Sequence, residues 1–187
     1  MFSVCVYCSS SNHIGERYVA VAEEMGRLIA EAGFSLTYGG GSVGLMGVLA
    51  RAVQERGGHV YGVIPRALQE QEGIAYGMAD DLVVTETMQE RKAIMYMRAN
   101  AFVILPGGFG TLEEFLEVLT LKQLGYHDKP LYLVNAFGFY DPLLELFSHF
   151  YRERFAGSTH RDLYIVRDSP HAVMAELDQV VRRDSGR

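Results

Sequence analysis

No run of about 18 consecutive apolar residues occurs in the 187-residue sequence, and a membrane-spanning helix needs one. The opening MFSVCVYCSSS has no basic stretch followed by an apolar one. A secretory signal is therefore not expected, and the chain reads as cytoplasmic. Positive charge is also in short supply. Seventeen Lys and Arg against 23 Asp and Glu leave a formal net charge of −6. That argues against nucleic acid as the main partner, while a local basic pocket can still hold one phosphate.

Cysteine is limited to Cys5 and Cys8, spaced as C-x-x-C. Redox and zinc pairs of this spacing sit in loops or at helix starts. Here FSVCVYC reads as a strand, where positions three apart point to opposite faces. The pair therefore reads as two buried thiols rather than a metal or redox site. The histidines (His13, His59, His127, His149, His160 and His171) are scattered without ligand spacing, so no metal is expected. Repeats, low-complexity stretches and linkers are missing, which favours one domain over residues 1–187 with a frayed polar tail.

What is present is alternation. Residues 2–9, 34–39, 59–65, 81–86, 101–107, 129–135 and 163–168 read as strands. Helices are expected over 15–32, 44–56, 88–99, 112–124, 141–154 and 170–183, with 66–79 as an irregular polar surface loop. In the first helix Val19, Ala22, Met25, Leu28 and Ile29 share one side. The alternation predicts an α/β fold, a doubly wound and mostly parallel sheet of about seven strands with helices on both faces. The continuous apolar runs FVIL and LYLV suit strands covered on both faces. In such sheets ligands sit beyond the carboxyl ends of the strands. That rule selects CSSSN (8–12), GGGSVG (39–44), 66–79, TETMQERK (85–92), PGGFGT (106–111) and NAFGFYD (135–141).

GGGSVG satisfies G-x-G-x-x-G through Gly39, Gly41 and Gly44. A dinucleotide site would add a ribose-binding acid near the end of the next strand, which instead reads Val63-Ile64-Pro65-Arg66. The motif is left as either a close approach of backbone amides to a ligand or a tight turn without one. PGGFGT is the better anion site. T-L-E-E places Thr111 as a helix N-cap with Glu114 as its capping-box partner, which is one reading of Glu114. Thr87 and Glu90 form a second such box, so a helix starts near Met88 and carries Arg91 and Lys92 close to its start. Cations are disfavoured at that end. A bound anion would offset the cost.

PGGFGTLEE resembles the P-G-G-x-G-T-x-x-E signature of the "lonely guy" family, the cytokinin riboside 5′-monophosphate phosphoribohydrolases, long mislabelled as lysine decarboxylases. YGGGSVGLMG and MQERK resemble two further blocks of that family, and GFYDPLL a later one. The likeness runs from CVYCSSS to about residue 150. It implies a Rossmann-like fold, a homodimer with the active site near the interface, and a small-molecule nucleotide substrate. The implied reaction is hydrolysis of the N-glycosidic bond of a nucleoside 5′-monophosphate, either AMP or an N6-modified AMP.

By the same resemblance Arg91 and Glu114 are the catalytic pair. The backbone of Gly107, Gly108, Phe109, Gly110 and Thr111 takes the 5′-phosphate, and Lys92 contacts substrate. Glu72 is chosen over Glu70 as an acid from the 66–79 loop. Leu112, Glu113 and Thr120 extend the binding set, as do Gly40, Gly41 and Ser42 of the other glycine loop. No organic cofactor is implied. A lysine decarboxylase would hold pyridoxal phosphate on a lysine, and only Lys92, Lys122 and Lys129 are available. The rival reading is a non-catalytic nucleotide or pterin-cofactor binding protein, which should lack the Arg/Glu pair that this sequence keeps.

Overall fold

The computed structural model describes residues 1–72 and 79–185. Seven parallel strands form one sheet in the order β4-β3-β2-β1-β5-β6-β7. They are β1 (Ser3–Tyr7), β2 (Ser35–Tyr38), β3 (Val60–Pro65), β4 (Asp81–Thr85), β5 (Ala101–Ile104), β6 (Leu131–Val134) and β7 (Ile165–Arg167). Strand order reverses at β1, which pairs with both β2 and β5 (Cys5 opposite Thr37 and Phe102). The loops after β1, β2 and β5 therefore crowd one point on the carboxyl edge, where an open α/β sheet leaves a crevice.

The helices are α1 (Glu16–Glu31), α2 (Gly44–Gln54), α3 (Arg66–Glu72), α4 (Met88–Arg98), α5 (Phe109–Gln123), α6 (Asp141–Arg152) and α7 (Pro170–Ser185). They divide into two layers because each central strand is apolar on both sides. Val4, Val6 and Cys8 pack with Ala22, Met25 and Ile29 of α1, Leu49 and Val53 of α2, and Leu177 of α7. Cys5 and Tyr7 turn the other way, onto Met95 of α4, Phe115 and Val118 of α5, and Phe147 of α6. The two thiols thus lie on opposite faces, both buried and free, as strand geometry requires. No described helix is long and apolar enough to cross a membrane.

Two elements differ from the sequence reading. RALQEQE forms α3 instead of irregular loop. Its residues are good helix formers, but only Leu68 is strongly apolar, so no periodicity marks it. Residues 73–78 of the expected loop lie outside the described part. The second difference is the start of α5. It begins at Phe109 with Gly108 as N-cap, not near residue 112 with Thr111 as cap.

The other expected box does form. Thr87 accepts the Glu90 amide at 3.1 Å, and the Glu90 carboxylate takes the Thr87 amide at 3.3 Å. This cap starts the helix that carries Arg91. Thr87→Ala should lower folding stability by about 1 kcal/mol, read as a lower urea midpoint at unchanged slope.

Candidate active site

Arg91 is 7% exposed, an unusual place for a guanidinium. Its Nε donates to the Val63 carbonyl at 3.1 Å and its Nη2 to the Gly39 carbonyl at 3.2 Å. One acceptor lies within β3 and the other just past the end of β2, so the sheet holds the arginine from behind. Gly39 is required by contact: a Cβ there would lie 1.9 Å from Nη2. The first glycine of GGGSVG is thus explained by Arg91.

Glu114 faces Arg91 from α5, with Oε1 3.7 Å from Nη1. It is 8% exposed. Among the described residues, no donor other than Arg91 approaches its carboxylate. It makes no capping box, because Thr111 lies inside the first turn. Thr111 packs against Gly107, where a Cβ would meet its Oγ1 at 2.1 Å. That contact draws the helix start back to Gly108. Burial raises the Glu114 carboxyl from 4.5 to about 7; Arg91 and Lys92 pull it down, Glu113 and Glu117 push it up.

Between these groups lies a cavity of about 490 Å³, within the usual range for a small-molecule site. Its walls include Arg91, Glu113, Glu114 and the turn Gly108–Thr111. The amides of Phe109, Gly110 and Thr111 open α5 and have no partner among the described residues, whereas Leu112 donates to Gly108 at 3.0 Å. Free amides at a helix start suit an anion. Ile64, Leu68, Met46 and Met88 form an apolar stretch of the wall. Ser9, Ser10 and Ser11 also line it. Loop selection pointed to CSSSN, but nothing in a bare serine run singled out these positions.

Several expected residues lie elsewhere. Leu112 turns its side chain into the core beside Phe115, and its amide is used within the helix. Gly107 sits behind the wall, its backbone amide donating to the Tyr140 hydroxyl oxygen. That hydroxyl also donates to the Leu105 carbonyl at 2.7 Å, so Tyr140 of GFYD braces the turn. Gly40, Gly41 and Ser42 do not line the cavity. The start of α2 is occupied by the protein's own groups: Gly44 donates to Asn12 at 2.8 Å and Leu45 to the Ser9 carbonyl at 2.9 Å. Those contacts take the first two amides of that helix start.

Lys92 is 14% exposed and off the cavity wall, because it is paired with Glu113 and, at 3.0 Å, with Glu117. Thr120 donates to its own backbone at Leu116, 2.7 Å away, and lines a separate groove. Met95 is buried in the core. Glu72 closes α3, and its side chain lies outside the described part.

A wholly parallel sheet with a buried Arg/Glu pair and free helix-start amides at its switch point defines a Rossmann-like α/β protein with a compact cavity. A family model described as "Possible lysine decarboxylase" matches residues 46–177. The chain is 42% identical over 178 residues to the cytokinin riboside 5′-monophosphate phosphoribohydrolase LOG of Oryza sativa subsp. japonica, spanning 95% of this chain and 73% of the relative. It is 40% identical over 178 residues to the Arabidopsis thaliana enzyme LOG2, spanning 95% and 83%. The protein belongs to this phosphoribohydrolase family.

Solved structures agree on the fold. The molybdenum cofactor carrier protein of Chlamydomonas reinhardtii superposes with a TM-score of 0.74 at 24% identity, covering 97% of this chain and 98% of that one. A molybdenum cofactor binding protein from Rippkaea orientalis gives 0.74 at 20% identity, covering 96% and 97%. The decarboxylase description does not fit the side chains present. Lys122 donates to the Lys129 carbonyl at 2.8 Å and Lys129 to the Tyr96 carbonyl at 2.7 Å. None of the three lysines faces the cavity to hold pyridoxal phosphate.

The raised Glu114 carboxyl has a consequence for stability. A folded value above the unfolded one means that the folded chain binds the proton more tightly. Ionised Glu114 therefore costs stability, increasingly from pH 4.5 to about 7 and fully above that. Glu114→Gln removes the titration. Its stability relative to the parent should improve by roughly 1–3 kcal/mol between about pH 5 and pH 8 in urea unfolding. An unchanged difference would mean that Glu114 titrates as an ordinary carboxyl.

Proposed function

We propose that the protein hydrolyses the N-glycosidic bond of a nucleoside 5′-monophosphate, releasing the free base and ribose 5-phosphate. The observation that carries this reading is the buried Glu114 carboxylate 3.7 Å from Arg91, on a cavity wall shared with the free amides of α5. The substrate class comes from the relatives, named for cytokinin riboside 5′-monophosphate, and AMP is the simplest member to test.

The phosphate would rest on the amides of Phe109, Gly110 and Thr111. Glu114 lies three residues beyond Thr111, about 4.5 Å along the helix axis. That spacing sets a carboxylate against the ribose while the phosphate stays at the helix end. As the C1′–N bond breaks, positive charge builds on C1′ and the ring oxygen. Ionised Glu114 stabilises it and takes a proton from the water whose oxygen bonds to C1′. The bond electrons leave with the base, which gains a proton. Arg91 remains charged throughout and holds the leaving side by hydrogen bonds. Turnover should rise with pH through about 7, where Glu114 ionises.

Incubation with AMP and with an N6-isoprenyl AMP should release free base, detected by chromatography. Glu114→Gln should lower turnover at least about a hundredfold with folding retained. No base from either substrate would overturn the reading, and ligand-raised melting without turnover would favour a binding protein.

The same reading includes a homodimer. Leu124 is 63% exposed and Phe155 87%, flanking a groove of about 200 Å³ lined by Leu116, Leu119, Phe147, Phe150 and Leu163. Thr120 lines that groove, so its contact with substrate belongs to the joined pair. Light scattering should give twice the chain mass, and a Leu124→Glu/Phe155→Glu double variant should give the chain mass.

A further inference from the structure

Lys92 and Glu117 form a charge cluster that the proposed chemistry does not use. Arg91 and Lys92 are adjacent on α4, and Glu113, Glu114 and Glu117 lie within two turns of α5. Two ties therefore join these helices side by side. Arg91 meets Glu114 at 3.7 Å, deep in the cavity. Lys92 meets Glu113 and Glu117 nearer the surface, where the two carboxylates are 55% and 40% exposed.

The inner tie is loose. Arg91 spends Nε and Nη2 on the Val63 and Gly39 carbonyls, and 3.7 Å is too long for a hydrogen bond to Glu114. Something else must orient the α5 segment that carries Glu114. The Lys92 ammonium does so on both sides, gripping the residue before Glu114 and the residue one turn after it. Burial works against the ammonium, but the hydrogen bonds and the negative charges of Glu113 and Glu117 together raise its pKa and hold it charged.

We propose that Lys92 and Glu117 are positioning residues for Glu114: the Glu113–Lys92–Glu117 clamp seats its carboxylate against Arg91 and balances the charge around it. The clamp rests on the reading of Glu114 as the reacting carboxylate. Around Glu114 the charged and titratable groups are Arg91 and Lys92 from α4, Glu113 and Glu117 from α5, and Cys5, Tyr7 and Cys8 from β1 and the residue after it. Cys5, Tyr7 and Cys8 are buried, and burial raises all three, so they stay neutral near pH 7. Within this set only the clamp residues can be changed without touching the cavity's inner pair.

The clamp makes opposed demands on two variants. Glu117→Gln removes an anion and leaves Lys92 in place, so the Glu114 midpoint should fall. Lys92→Met removes the cation and frees two anions, so it should rise. Each shift should be about half a pH unit. The readout is the carboxyl carbon of Glu114 in labelled protein, assigned with Glu114→Gln and titrated by NMR. The acid limb of kcat against pH should move in the same two directions.

A purely structural clamp would weaken both variants and leave the midpoint where it was. Shifts below about 0.1 unit, or both in one direction, overturn the proposal. If Lys92→Met does not fold, Glu113→Gln replaces it and must lower the midpoint as Glu117→Gln does. If the parent releases no base, the NMR midpoints still decide the clamp, and only the proposed function fails.

Discussion

A guanidinium without water is the constraint around which the site is arranged. Burying an unpaired charge is costly, so Arg91 must find acceptors and an anion inside the fold. Val63 within β3 and Gly39 just after β2 supply two carbonyls. The glycine at position 39 supplies the room. The capped start of α4 brings the side chain to that place. Glu114 supplies the anion, but at 3.7 Å the pair is held apart. Its separation leaves both groups able to act on a third molecule between or beside them.

The second organising element is the start of α5. Thr111 folds inward onto Gly107, and Tyr140 braces the same turn through the Leu105 carbonyl. The helix therefore opens one turn earlier than its capping signature suggests, with three amides facing the cavity. In the proposed reaction an anion-favouring end and a carboxylate share one helix without conflict, because they would serve different parts of the same ligand. Lys92 keeps the other two acids of that helix occupied.

Much of this was legible in the sequence, for identifiable reasons. Strand and helix periods are local, so alternation located all seven strands and the layering. The T-x-x-E box at Thr87 was read correctly because nothing nearby competes for its hydroxyl. The identical pattern at Thr111 misled, since the glycine at 107 invites that side chain inward. RALQEQE escaped notice as a helix for want of an apolar stripe. The resemblance assigned Lys92 to the ligand, whereas its ammonium here meets Glu113 and Glu117, a pairing that no local stretch of sequence discloses. The serines of CSSSN had no distinguishing neighbours at all.

The sequence by itself determined the parallel α/β architecture and the two-faced burial of β1, and its motifs marked Arg91 and Glu114 as candidates to act together. Those follow from hydrophobic period, glycine placement and a motif spread over short spans. Tertiary structure alone decided that Glu114 is buried with its carboxyl raised to about 7, that Gly39 makes room for an arginine, and that Lys92 grips α5. Each depends on atoms from distant segments meeting at a few ångströms, and desolvation at such a meeting is a property of the assembled fold, not of any stretch of chain.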